Sequence, residues 1–180
     1  MRRAIGTTAM AVMVAAGIGL SAQKTTQVHP GKGGSPHVKT EWTVDGANIS
    51  ITYGRPSLKG REEAKLMPPG KEWRTGADEA TTLTTDKNLM FGSVHVTPGT
   101  YTLYTVPGAG EWQLVISKKT GQWGIPYPGA GEDLGRAPMK VTKNASPVEQ
   151  LTIDVTDTQA GGELSISWGT QKATIPFMVH

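Results

Sequence analysis

Tyr101-Thr102-Leu103-Tyr104-Thr105-Val106, then Pro107-Gly108-Ala109-Gly110, then Glu111-Trp112-Gln113-Leu114-Val115-Ile116-Ser117 is the stretch that decides the fold. On an extended chain successive side chains point to opposite faces. Tyr101, Leu103 and Thr105 therefore share one face, and Thr102, Tyr104 and Val106 the other. Beyond the proline and glycines, Trp112, Leu114 and Ile116 alternate in the same way with Gln113, Val115 and Ser117. Two such runs joined by a short glycine-containing turn predict an antiparallel hairpin.

The same period of two recurs on both sides of this hairpin. Upstream, Trp42 and Val44 lead into the turn signal Asp45-Gly46, and Ile49, Ile51 and Tyr53 then alternate with polar residues. Ala80 to Thr85 is threonine-rich, and Leu89 to Val96 repeats the strand pattern around Gly92-Ser93. Downstream, Leu151, Ile153 and Val155 match Leu164, Ile166 and Trp168 across Gly161-Gly162, and Ala173, Ile175 and Phe177 close the pattern. No segment predicts a helix longer than two turns. The expectation is an all-β domain: an antiparallel β-sandwich of about eight or nine strands, jelly-roll or Ig-like, with a barrel as the second choice. From Gly54 to Trp73 the alternation stops, with one helical turn predicted near Glu62 to Met67. A connection this long without regular structure tends to be functional or disordered. Leu66, Met67 and Trp73 supply apolar anchors, so a packed, ordered loop is expected.

The ends and the composition bound the compartment. Met1-Arg2-Arg3, an apolar run from Ala4 to Leu20, and small residues at Ser21-Ala22 follow the order of a secretory signal, cleaved after Ala22. Residues 23–36, rich in glycine and poor in apolar side chains, read as a flexible leader, and 37–180 as one domain. A periplasmic or secreted location is expected, with no membrane anchor left after cleavage. Without Arg2 and Arg3 the 18 basic residues fall to 16, against 15 acidic ones, and this near balance gives no electrostatic case for nucleic-acid binding. Zero cysteines exclude disulfides, thiolate metal sites and a cysteine nucleophile. Phosphate-loop, dinucleotide-fingerprint and His-Glu-x-x-His motifs are absent. No cofactor and no metal are expected. His29 and His37, in or beside the leader, are a pair that could bind metal, but leader histidines read more simply as solvated side chains.

Chemistry concentrates in Trp73-Arg74-Thr75-Gly76-Ala77-Asp78-Glu79-Ala80-Thr81 and the cations before it. Arg55, Lys59, Arg61, Trp73, Arg74, Asp78 and Glu79 form the candidate ligand-binding set. Two readings are open. In one, arginines clasp carboxylates and pin the long loop to the sheet, because a buried charge needs a partner. In the other, the arginines line a pocket for an anionic or sugar-like ligand with Trp73 as its wall. Asp78 and Glu79 are adjacent and, on an extended backbone, would point to opposite faces. A hydrolase acting on glycosides or envelope polymers is a further alternative. It needs a second carboxylate across a cleft from Asp78 or Glu79, with Glu111, Glu132 and Asp133 as candidates. A structural envelope protein without a pocket is the third.

Tyr53-Gly54-Arg55-Pro56-Ser57-Leu58-Lys59-Gly60-Arg61, the nine residues from Trp73 to Thr81, and Gly99-Thr100-Tyr101-Thr102-Leu103 together resemble an exported bacterial domain family of unknown function. The resemblance runs from about Pro36 to Val179 and implies a bacterial, exported, mainly β domain. It implies no activity and no catalytic residues. Two places depart from the family pattern. Asp78 stands where asparagine is usual, and Lys65-Leu66-Met67-Pro68-Pro69 replaces a more apolar, glycine-containing run. The functional expectation is binding of a small polar or carbohydrate-like ligand or of a cell-envelope component.

Overall fold

The computed structural model describes residues 23–180. The signal peptide expected over residues 1–22 lies outside the described residues. Ten strands run in order: β1 (Lys24–His29), β2 (His37–Val44), β3 (Ala47–Gly54), β4 (Thr82–Thr85), β5 (Leu89–Phe91), β6 (Val94–Val96), β7 (Gly99–Val106), β8 (Glu111–Ser117), β9 (Asp133–Thr158) and β10 (Gly161–Val179). One helical turn, α1 (Glu63–Leu66), and a 3-10 turn at Ala130–Glu132 are the helical elements among the described residues. The domain is all-β and every strand pairing is antiparallel.

The ten strands form one open sheet in the order β1-β2-β3-β4-β7-β8-β9-β10-β5-β6, where two separate sheets of eight or nine strands in total were expected. The layering comes from β9 and β10, which are 26 and 19 residues long. The first half of β9 pairs with β8, and its second half pairs with the start of β10. Between these halves the register jumps from Val148 opposite Gly169 to Lys143 opposite Gln171. Such an irregularity bends a strand and leaves ladder groups unpaired. Here the Asn144 side-chain amide donates to the carbonyls of Gly169 and Gln171, at 2.9 and 2.8 Å. Periodicity reveals neither the bend nor the first half of β9, where Ala137 and Met139 are the fully buried apolar residues.

Beyond the bend, β9 lies against β2 and β3. Trp42 Nε1 donates to Asp154 Oδ1 at 3.2 Å. The buried Tyr53 hydroxyl accepts the Ile153 N–H at 2.9 Å and donates to the Ile153 carbonyl at 3.5 Å. The chain leaving β3 continues the seam: Leu58 N–H reaches the Glu149 carbonyl, and Leu151 N–H the Pro56 carbonyl, both at 2.9 Å. The core fills the space between, with Ile49, Ile51, Leu83, Leu103, Leu114 and Met139 fully buried. Trp73, delivered by the long connection, stacks on Trp168 at 5.7 Å and meets Trp112 edge-on at 6.2 Å.

The expected flexible leader is partly a strand, because β1 has a partner: residues Lys24–Gln27 pair with Val38–Glu41 of β2. Its side chains are largely exposed, so backbone hydrogen bonds rather than apolar burial hold it.

Replacing Tyr53 with Phe keeps the ring in the core and leaves the Ile153 N–H without its acceptor. Chemical denaturation should show a loss of ~1–3 kcal/mol with an unchanged m-value. A loss well below that range would mean that the Tyr53 bond does not join the two layers.

Candidate functional site

The segment from Trp73 to Thr81 folds as a compact loop on β7. Trp73 exchanges backbone hydrogen bonds with Thr105, at 2.8 and 3.0 Å. Thr75, fully buried at a left-handed φ of 54°, shares a hydroxyl bond with Thr105 at 3.1 Å, and the Thr81 hydroxyl donates to the Thr75 carbonyl at 3.0 Å. The second irregular segment closes over this loop. Gly124 N–H donates to the Asp78 carbonyl at 2.9 Å, and Ala80 N–H to the Gln122 carbonyl at 3.2 Å. A Cβ at Gly124 would stand 2.6 Å from Arg74 Cδ, so glycine there is what lets the arginine stem lie beneath it.

Asp78 has φ 61°, a left-handed conformation that aspartate and asparagine adopt more readily than other non-glycine residues. The expectation that Asp78 and Glu79 point to opposite faces is therefore corrected, since it held only for an extended backbone. The turn brings both carboxylates to one ring: His37 Nε2 lies 3.5 Å from Asp78 Oδ2 and 3.1 Å from Glu79 Oε2. His29 Nε2 is 3.7 Å from Glu79 Oε1, and its ring stacks on His37 at 4.2 Å. The Asp78 carboxylate also accepts the Lys32 N–H at 2.9 Å.

Two further expectations are corrected here. His37 is not a solvated leader residue, since it is 3% exposed and opens β2. A Cβ at its β3 partner Gly54 would come within 2.7 Å of its Nε2, so glycine admits the ring. Arginine clasps on Asp78 and Glu79 are also absent among the described residues. Arg55 instead donates to the Leu151 carbonyl and the Thr152 hydroxyl of β9, both at 3.0 Å, and Arg74 reaches the Asp78 backbone carbonyl at 3.3 Å. Sequence reasoning named the two histidines but missed the burial of His37 and its meeting with Glu79, because the strand pairing that produces them is non-local. The one local signal was His37 at the head of an alternating strand.

Beside this loop opens a groove of about 640 Å³, lined among others by Lys59, Arg61, Arg74, Asp78, Trp73 and Trp168. Of the candidate ligand-binding set, Arg55 and Glu79 do not line it. Trp73 gives the groove little area, being 7% exposed with one face against Trp168, so the expected stacking wall is mostly core. Lys65 and Glu72 also border the groove and are already paired, with Glu62 at 3.1 Å and with Arg136 at 3.0 Å. Lys59, Arg61 and Arg74 have no carboxylate within ion-pair distance among the described residues. Arg61 is held by the Leu58 and Ser57 carbonyls, at 2.9 and 2.6 Å.

Arg136 pairs with Glu72 at 3.0 Å. Its guanidinium joins Glu72, Asp133 at 2.9 Å and the Tyr127 hydroxyl at 2.9 Å, while Tyr127 donates to Asp133 at 2.7 Å. Burial works against the Arg136 charge, yet the hydrogen bonds to Asp133, Glu72 and Tyr127 hold its pKa above the ordinary value. Burial, and then the bond to Asp133, push the Tyr127 hydroxyl up to about 12. Asp133 is thus committed, and none of Glu111, Glu132 and Asp133 lines the groove that holds Asp78.

Fold and site together define an all-β domain with a cation-lined groove beside a histidine–carboxylate cluster. The chain belongs to the family described as "Protein of unknown function (DUF2911)", which matches residues 35–177. No curated protein and no solved structure matches it. Among the described residues no helix is long and apolar enough to cross a membrane.

The Tyr127 network carries a pH signature. The hydroxyl keeps its proton in the folded chain above the ordinary value of 10.0, up to about 12, while the unfolded chain releases it. Its contribution is therefore fully present below pH 10.0 and is lost as pH rises towards about 12. Melting temperatures followed across this window should fall more steeply for the parent than for Tyr127→Phe. Parallel curves would show that the bond to Asp133 does not hold the proton.

Proposed function

We propose that this domain binds a small polar ligand carrying negative charge, such as an acidic sugar or an envelope fragment, in the groove beside the Trp73–Thr81 loop. One observation carries the reading: among the described residues Lys59, Arg61 and Arg74 line the groove with no carboxylate in ion-pair distance, while its other cation, Lys65, and its carboxylates have other partners, Glu72 on Arg136 and Asp78 on the Lys32 N–H beside His37. Uncompensated cations converging on a concavity receive anions through charge-assisted hydrogen bonds, and arginine does so with fixed geometry. Lys59 sits in a turn at a left-handed φ of 51°, with its backbone N–H donating to Glu149 Oε1 at 2.8 Å. The groove favours binding over a purely structural role. The hydrolase alternative has no observation in its favour, because its candidate second carboxylates lie outside the groove.

Export belongs to the same proposal and rests on the basic, apolar and small-residue order of residues 1–22. Secreted or periplasmic material from a bacterial host should start at Gln23 on N-terminal sequencing. Material starting at Met1 in the cytoplasm would defeat the export reading.

A thermal-shift screen of acidic sugars, phosphorylated sugars and envelope fragments tests the ligand class. Each lost charge-assisted bond is worth ~1.5–3 kcal/mol, so Lys59→Ala and Arg74→Gln should each weaken binding roughly ten- to hundredfold. Without ligand, both variants should melt close to the parent. Unaltered affinity in both, or no stabilisation by any anion in the panel, would remove the reading.

A further inference from the structure

His29, His37 and Glu79 converge from three separate places: the end of β1, the start of β2 and the loop before β4. One ligand atom from each lies within 4.8 Å of the others. The geometry points to a binding site for a borderline divalent cation of the zinc type, formed by His37, Glu79 and Asp78 and completed by His29. It adjoins the cationic groove, with which it shares Asp78, and needs no anionic ligand.

The strongest observation concerns His37. Its ring is 3% exposed, and its Nε2 is buried with no hydrogen-bond partner, although two carboxylates stand beside it. At 3.1 Å from Glu79 Oε2 a hydrogen bond would be expected, so neither oxygen lies along the ring's in-plane N–H direction. A buried polar nitrogen left unsatisfied is costly, and such groups mark ligand or ion sites. The distances suit a shared ion. Zinc bonds of about 2.0–2.2 Å place two donors on one ion roughly 3.0–4.2 Å apart. The separations of 3.1 Å and 3.5 Å at His37, and 3.7 Å between His29 and Glu79, fall in that range. Two imidazoles select zinc-like cations over magnesium or calcium, which prefer oxygen ligands alone.

The surroundings supply an outer shell. The Lys32 N–H holds Asp78 Oδ2 at 2.9 Å, fixing that carboxylate. Glu79 is half exposed, its side chain at 47%, which gives the ion an approach from solvent. One contact must change. The two rings stack with their planes 18° apart, and Gly31 N–H donates to His29 Nδ1 at 3.1 Å. Near-parallel rings do not aim both lone pairs at one point. Capture of the ion therefore tips His29 out of the stack and gives up the Gly31 bond. β1 is an exposed edge strand, and the turn after it carries Gly31, Gly33 and Gly34, so this adjustment stays local.

The test uses the full chain, stripped with a chelator and titrated with Zn²⁺ against a chromophoric competitor, and with Co²⁺ read by visible absorption. One Zn²⁺ per chain is expected, undisturbed by a large excess of Mg²⁺, with a rise in melting temperature. Glu79→Gln and His29→Ala lie at exposed or half-exposed positions and should fold. Each should weaken binding by more than the ~10–100-fold that follows loss of an outer-shell partner, and should abolish the Zn²⁺-dependent rise. No saturable binding, parent-like affinity in either variant, or displacement by Mg²⁺ would overturn the assignment.

Discussion

Drawn straight, the 26 residues of β9 would extend about 85 Å, several times the ~15 Å radius of gyration expected of a domain this long. The strand has to bend, and every buried peptide group along it has to find a partner on both sides of the bend. Register is lost between Lys143 and Val148, and the Asn144 amide takes the carbonyls that the broken ladder leaves behind. Once bent, the second half of β9 faces β2 and β3, and Tyr53 and Trp42 bond across to it. The core, the seam with the chain leaving β3 and the position of the groove all follow from that turn. A single hydrogen-bonded sheet thereby supplies two layers.

The loop from Trp73 to Thr81 is held in place by the same core. Trp73 is locked between Trp168 and Trp112, and three buried threonines close the loop onto β7 with hydroxyl bonds. Two of its residues, Thr75 and Asp78, adopt left-handed backbone conformations, which surrounding packing must stabilise. That strain has a visible consequence at Asp78, where the turn swings adjacent carboxylates onto one histidine. The residue types at this loop look like an ion-pair motif, but their charges are divided between two neighbouring places.

The division of charge is what gives the surface its chemistry. Asp78 and Glu79 gather around His37 and His29, and among the described residues neither carboxylate forms an ion pair with an arginine. Arg136 neutralises Glu72 at the groove wall, and Arg55 spends its donors on β9. Lys59, Arg61 and Arg74 line the groove together with Asp78, whose carboxylate also stands 3.5 Å from the buried His37 imidazole. The fold thus sets a cation-lined groove beside a histidine–carboxylate cluster.

Period-two alternation along Ile49–Tyr53, Tyr101–Val106 and Glu111–Ser117 was enough to fix an antiparallel all-β domain, because strand patterning is local and needs no knowledge of the partner. The long connection and its helical turn were legible for the same reason. The continuous sheet was not, since β9 runs through polar residues whose partners lie in other strands. Nor was the meeting of His29 and His37 with Glu79, because the three lie far apart in the chain and only strand pairing brings them together. Only the tertiary structure decided which charges meet. Backbone φ at Asp78 and the pairing of β1, β2 and β3 set those distances, and both depend on contacts between residues far apart in the chain.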